Sequence, residues 1–175
     1  MALFVQPSEW ESRSALQAYL EANSPSPLIV GQDAEAPRCF YSFTPPNQGQ
    51  SMRLGVWSSG LGPKPSLAVV GDGTLVVGHD QAVTWVRRGQ RNETSVRLGG
   101  AFFEFIDLGD NDDLLVVHEL GVLRIRPDGS TRWSVDTDLI QDWRFTPGGA
   151  LLLTEMDRSG RTRIDVSVGR LSRNQ

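Results

Sequence analysis

The chain has 175 residues, enough for one domain or one domain with a small extension. At 39% hydrophobic and 22% charged it can build a packed core, which excludes a disordered composition. A net charge of −4 excludes a nucleic-acid surface of clustered basic residues, the single cysteine excludes an internal disulfide or a cysteine-rich zinc site, and no run of about 18 apolar residues offers a membrane span.

In chain order, residues 8–22, SEWESRSALQAYLEA, predict the one helix. Ser8 can cap it, Glu11 three residues later completes a capping box, and Trp10, Leu16, Tyr19 and Leu20 form a partial apolar face. NSPSP at 23–27 stops it, because proline cannot continue the hydrogen-bond ladder. Residues 1–26 are therefore expected to be a helix and linker packed on a domain spanning 27–175. Glu9 and Glu11 stand where a secretory signal would be basic and then apolar, which gives a cytoplasmic reading.

Beyond residue 26 the texture changes to short apolar runs separated by Gly, Pro, Asp and Asn, the pattern of a mainly β protein with many turns. Strands are predicted at 27–30, 38–43, 51–57, 66–70, 74–79, 82–87, 94–98, 101–108, 114–118, 121–126, 131–136, 143–146, 150–155 and 162–168. Loops take TPPNQGQ (44–50) and SSGLGPKP (58–65).

A repeat runs through this half of the chain. GDGTLVVGHDQAVTWVRR (71–88) lies over DNDDLLVVHELGVLRIRP (110–127) without a gap, so that Leu75 meets Leu114, Val77 meets Val116, His79 meets His118 and Arg87 meets Arg126. PGGALLLTE (147–155) begins a third copy, in which Arg163 and Ile164 fall under Arg124 and Ile125. Before each turn sits an alternating apolar pair, Leu67/Val69, Ile106/Leu108 and Trp143/Phe145, and alternation puts both members on one face of a strand.

The repeat explains DNDD at 110–113. It fills the slot of GDGT and PGGA, and all three open the same strand, so it reads as a turn. A calcium loop would need alternating oxygen ligands and a bend glycine, whereas Leu114 stands where the third ligand would be.

Each copy reads as four strands, with a hairpin joining the central pair. The order Asp-Gly, apolar strand, glycine hairpin, second strand, then glycine and a tryptophan resembles the PQQ-like, quinoprotein-type β-propeller repeat. DDLLVVHELGVLRIRPDGSTRWSV follows it closely, with Gly121, Gly129 and Trp133 in place. The second-closest copy has Ala82 for the hairpin glycine and Thr94 for the tryptophan, and the copy ending RTRIDVSVGRLS has no tryptophan. The resemblance covers 66–170. It implies antiparallel sheets in propeller-like blades; it does not imply the quinone cofactor or dehydrogenase chemistry, and no cofactor is expected. Three copies are clear. A degenerate fourth would occupy 27–57, with Leu28 and Val30 in the places of Leu67 and Val69. Three or four blades are expected to make a small, open or half propeller, or half of a ring completed by a second chain. The helix would then cover an end sheet.

Chemistry-bearing residues are few. His79 and His118 are the only histidines and are repeat-equivalent; they are either a fold feature or a pair lining one pocket for a small ligand or an enzyme reaction. Cys39 reads as a buried thiol, since nothing nearby in sequence would activate it. No Gly-x-Ser-x-Gly elbow, phosphate loop or His-Glu-x-x-His motif occurs, and the sequon NET (92–94) has no secretory context. Glu104, Asp107, Asp110, Asp112 and Asp113 could form an acidic docking patch for a protein partner. Arg158, Arg161, Arg163, Arg170 and Arg173 make the C-terminal end basic. They solvate a terminal strand, or meet the acidic stretch of a second chain head to tail. RNA binding is disfavoured, because no stacking aromatics are interleaved with them.

Three functions follow. The first is a non-catalytic protein-binding module on an incomplete propeller, with a protein partner or self-association as a homodimer. The second is a small acidic inhibitor, such as an immunity protein that neutralises a bacterial toxin. The third is a ligand binder or enzyme using His79 and His118.

Overall fold

The computed structural model describes residues 1–32, 36–46, 52–60, 62–71, 73–87, 93–109, 113–156 and 160–173. The chain begins with β1 (Leu3–Val5), β2 (Ser8–Trp10), the helix α1 (Arg13–Asn23), β3 (Leu28–Val30), β4 (Cys39–Phe43) and β5 (Leu54–Ser58). Three successive groups of four strands follow: β6 (Ser66–Val70), β7 (Thr74–His79), β8 (Ala82–Val86) and β9 (Glu93–Arg97); β10 (Phe102–Asp107), β11 (Leu114–His118), β12 (Gly121–Ile125) and β13 (Thr131–Asp136); β14 (Ile140–Thr146), β15 (Ala150–Glu155), β16 (Arg161–Asp165) and β17 (Arg170–Arg173). The protein is mainly β, with four sheets and one helix.

The first sheet has the order β2-β4-β5-β3, and the second is β1-β6-β7-β8-β9. The third and fourth are antiparallel meanders, β10 to β13 and β14 to β17. The sheets pack face to face in that order, as propeller-like blades do. Val30, Phe43 and Val56 meet Leu75 and Val77 between the first and second sheets. Val76, Val83 and Trp85 meet Leu114 and Val116 between the second and third. Leu115 and Val117 meet Leu151, Leu153 and Ile164 between the third and fourth. A middle strand therefore buries both faces, which is why TLVVGH and LLVVH are continuous apolar runs rather than alternating ones.

Both flanks of the array are treated differently. On the first sheet, α1 buries Leu16 and Leu20 against Trp57, with Trp10, Tyr19 and Phe40 around them. Among the described residues no apolar cluster joins the fourth sheet back to the first.

The repeat appears as a recurring joint at the tip of each central hairpin. Leu98 N–H donates to Gln81 O at 2.8 Å, and 39 residues later Thr137 N–H donates to Leu120 O at 3.0 Å. Phe102 N–H bonds Asp80 O and Ile140 N–H bonds Glu119 O, at 2.6 and 2.9 Å. Each hairpin tip thus holds both the strand leaving its own blade and the strand opening the next.

Several expectations are corrected. The helix starts after Ser12, whose Oγ accepts from Ala15 N at 3.2 Å, and Ser8 is not its cap. Residues 8–10 instead pair with β4, and Trp10 Nε1 donates to Ser42 Oγ at 2.9 Å; pairing across the sheet overrides the local capping signal. Before the helix, β1 extends the second sheet and β2 the first.

The segment 27–57 is not a fourth copy of the repeat. β3 runs parallel to β5, with Leu28 opposite Leu54, whereas Leu67 lies on a strand antiparallel to its neighbour β7. The pair Ile106/Leu108 is also displaced. Leu67 and Val69 stand opposite Val77 and Leu75, but the residues opposite Val116 and Leu114 are Phe105 and Asp107. The link from Asp107 to Leu114 is one residue longer than that from Val69 to Leu75, so Ile106 turns to the fourth sheet instead. Finally, the strand expected at 162–168 ends at Asp165, and a turn at 166–169 leads into a further strand, β17, that is not among those expected.

Candidate functional site

His79 and His118 sit at equivalent places, on the last residue of β7 and β11, and both are buried. They do not share a pocket. His79 is on the face of β7 that meets the first sheet, and its ring lies against Gly31; His118 is on the face of β11 that meets the second sheet, and its ring lies against Gly99. One histidine thus fills each of two successive gaps, where a glycine in the preceding sheet leaves room. In the third gap the slot belongs to Glu155, which accepts from Asp138 N–H at 3.0 Å and Thr162 Oγ1 at 2.5 Å.

The environments of the two imidazoles differ. Burial holds the His118 pKa below its ordinary value, against the pull of Asp136 and Glu119, and its Nδ1 faces Leu120 N–H at 3.4 Å. His79 Nδ1 stands 3.8 Å from Asp80 Oδ2, too far for a well-formed hydrogen bond, and finds no closer partner among the described residues. Burial pushes the Asp80 carboxyl up, but His79 nearby and donation from Ser58 Oγ (2.7 Å) and Ser59 N–H (2.9 Å) outweigh it and hold the pKa at about 2.

Beside His118, a cleft of about 500 Å³ opens between β9 and β13. Arg97, Ser134, Asp136 and Thr137 contribute polar groups to it, and Leu98 and Leu123 line its apolar part. No three His, Cys, Asp or Glu side chains among the described residues stand close enough together to hold a metal ion. Cys39 is half-buried, beside Gly60 and near the buried Tyr41, whose phenol is raised to about 12 by burial first and then by Cys39.

Among the described residues of the acidic stretch, Glu104, Asp107 and Asp113 do not share one surface. Glu104 accepts from Trp143 Nε1 at 2.8 Å on the side of the fourth sheet, next to the stacked rings of Phe103 and Trp143. Asp107 stands opposite Leu114, on the other face of β10, and accepts from Ala2 N–H and Gly109 N–H, both at 2.8 Å. Asp113 is 1% exposed, so it is no docking residue. Its Oδ2 takes Arg124 Nε at 2.8 Å and Arg132 Nε at 2.5 Å, while Arg124 Nη1 reaches Val166 O in the fourth sheet at 3.1 Å. Asp110 and Asp112 lie outside the described residues, as does Arg158.

The surface that emerges instead is the outward face of the fourth sheet. The apolar residues Leu151, Leu153 and Ile164 point inward. The alternate positions therefore point out, and register aligns them in rows: Asp142–Thr154–Arg161, Arg144–Leu152–Arg163–Ser172, and Thr146–Ala150–Asp165–Arg170. No element among the described residues packs on this face, and all four arginines are exposed. At the places that carry Val83 and Trp85 in the second sheet, where a further blade packs, this sheet has Arg161 and Arg163. The alternation of Arg161, Arg163 and Asp165 with Thr162 and Ile164 was readable in sequence. The membership of Arg144 was not, because it depends on register.

Comparison with protein-family models and with curated proteins gave no match. Among solved structures, virginiamycin B lyase from Staphylococcus aureus with quinupristin superposes with a TM-score of 0.48 at 15% identity, over 98% of this chain and 59% of that one. A protein of unknown function from Bacteroides caccae gives 0.42 at 14%, over 85% and 60%. The chain spans about three fifths of the length of the structures it matches. Likeness of this order says nothing of what the chain binds. No helix among the described residues is long and apolar enough to cross a membrane.

Proposed function

We propose that this chain is a non-catalytic protein-binding module built on an incomplete β-propeller, with the outward face of the fourth sheet as its docking surface. The observation that carries this reading is the contrast between the two flanks. One is sealed by α1 over an apolar sheet face, and the other is uncovered and dressed in arginine. Arginine is the charged residue most used at protein interfaces, since its planar fork pairs with carboxylates and its stem packs on apolar surface.

A catalytic reading would need functional groups converging on one place. The two histidines occupy separate gaps, and the inhibitor reading finds no acidic patch in Glu104, Asp107 and Asp113. The blades we read as the PQQ-like type. Support comes from Trp133, whose Nε1 donates to Val166 O at 3.2 Å while its ring packs on Gly169 of the next blade, so that one tryptophan fastens two blades together.

The test is a comparison of baits. The intact chain and the double reversal Arg161→Glu/Arg163→Glu are exposed to an extract of the source cells, and retained proteins are cross-linked. The reading expects a stoichiometric partner that cross-links to β14–β17 and is lost with the reversal. A partner that both baits retain, or cross-links confined to other sheets, would reject this face.

A further inference from the structure

Resting on that reading, we infer that the partner docks through an acidic segment carrying two carboxylates about 10 Å apart on either side of an apolar residue. The central row of the face sets this pattern. Arg144 and Arg163 flank Leu152, each on an adjacent strand, and strands lie about 4.8 Å apart, which separates the two arginines by about 10 Å. Leu152 is half-buried despite pointing outward, so an apolar side chain can seat on it between two guanidinium groups.

None of Arg144, Arg161, Arg163 and Arg170 forms an ion pair within 4.0 Å among the described residues. Four arginines against two aspartates leave the face with a net charge of +2, on a chain whose total is −4. Positive charge therefore outweighs negative on a sheet face that no described element covers. Nucleic acid fits this surface less well: Asp142 and Asp165 are set among the arginines, and the rest of the chain repels a polyanion. A helix with glutamates at i and i+7 and a leucine between them matches the spacing, because seven residues rise about 10.5 Å.

The experiment uses the full chain and a synthetic helical peptide of repeated Glu-x-x-Leu-x-x-x-Glu pattern, with a scrambled peptide of equal composition, a short DNA duplex and a heparin fragment as comparators. Binding is followed by fluorescence anisotropy at low and at physiological salt. The expected result is patterned-peptide binding that weakens about tenfold or more with Arg161→Glu/Arg163→Glu, and with Arg144→Glu as an independent variant. Equal binding of the scrambled peptide would overturn the spacing. Tighter binding of DNA or heparin, or no peptide binding at all, would overturn an acidic protein segment as the occupant. If the bait experiment instead finds a partner on β14–β17 whose cross-linked segment is not acidic, this inference fails while the docking face stands.

Discussion

Arg124 and Asp113 form a buried ion pair at 2.8 Å, and the same guanidinium reaches across to Val166 O in the next sheet at 3.1 Å. Asp113, the last acid of the DNDD stretch, thus helps to fasten two blades together. Removing it takes a buried carboxylate away from both Arg124 and Arg132. Asp113→Ala is expected to destabilise the fold by about 3–5 kcal/mol, measured by urea unfolding. A loss below about 1 kcal/mol would mean that the pair is solvated.

The correction to the helix start makes a paired prediction. Ser12→Ala removes the cap that holds Ala15 N–H and should cost about 1 kcal/mol. Ser8→Ala lies on an exposed strand residue and should change stability by less than about 0.5 kcal/mol. The reverse ranking in thermal unfolding would restore the capping box at Ser8.

The sequence made the array legible because its core is periodic. The ungapped match of 71–88 to 110–127 became two hairpins, β7–β8 and β11–β12, with equivalent pairing and equivalent joints, and nearly every strand from 66 to 155 lies where the apolar runs put it. What stayed hidden depends on pairing over distance. Ser8–Trp10 looks helical until β4 is alongside, and the one-residue extension before Leu114 reverses the facing of Ile106. The placement of the acidic residues was hidden for the same reason: a count of carboxylates along ten residues does not show that Glu104 and Asp107 leave opposite faces of β10. The arginine face was half legible, since alternation within β16 is local whereas the contribution of Arg144 requires register.

Glycine at 169 is required twice. Its φ of +68° is unfavourable for other residues, and a Cβ there would stand 2.7 Å from the Trp133 ring. Gly109 has φ +73° with nothing within 4 Å. Gly109→Ala should cost about 1 kcal/mol from backbone strain alone, and Gly169→Ala clearly more, because it also pushes the Trp133 indole off Val166 O. Near-ultraviolet circular dichroism should report the tryptophan change only in the second variant. Equal costs would show that the indole packing contributes nothing.

Stability should also fall in acid in two stages. Because burial lowers the His118 pKa, the unfolded chain takes up that proton first, and stability declines as pH drops below about 6.5. Asp80, held at about 2 in the fold, contributes stability that is present above its unfolded pKa of 3.8 and is lost as pH falls from there towards 2. His118→Gln should flatten the first stage and leave the second. A midpoint in urea that does not move between pH 7 and pH 5 would contradict the assignment to His118.

The most direct test of the free arginine face is the solution mass of the chain by light scattering behind a sizing column, at two concentrations, alongside Arg161→Glu/Arg163→Glu. The account predicts the mass of a single chain throughout, because a charged, uncovered sheet face awaits a different partner. A dimer of the unaltered chain that the double reversal dissolves would contradict it, and would make the fourth sheet a contact between copies of this protein.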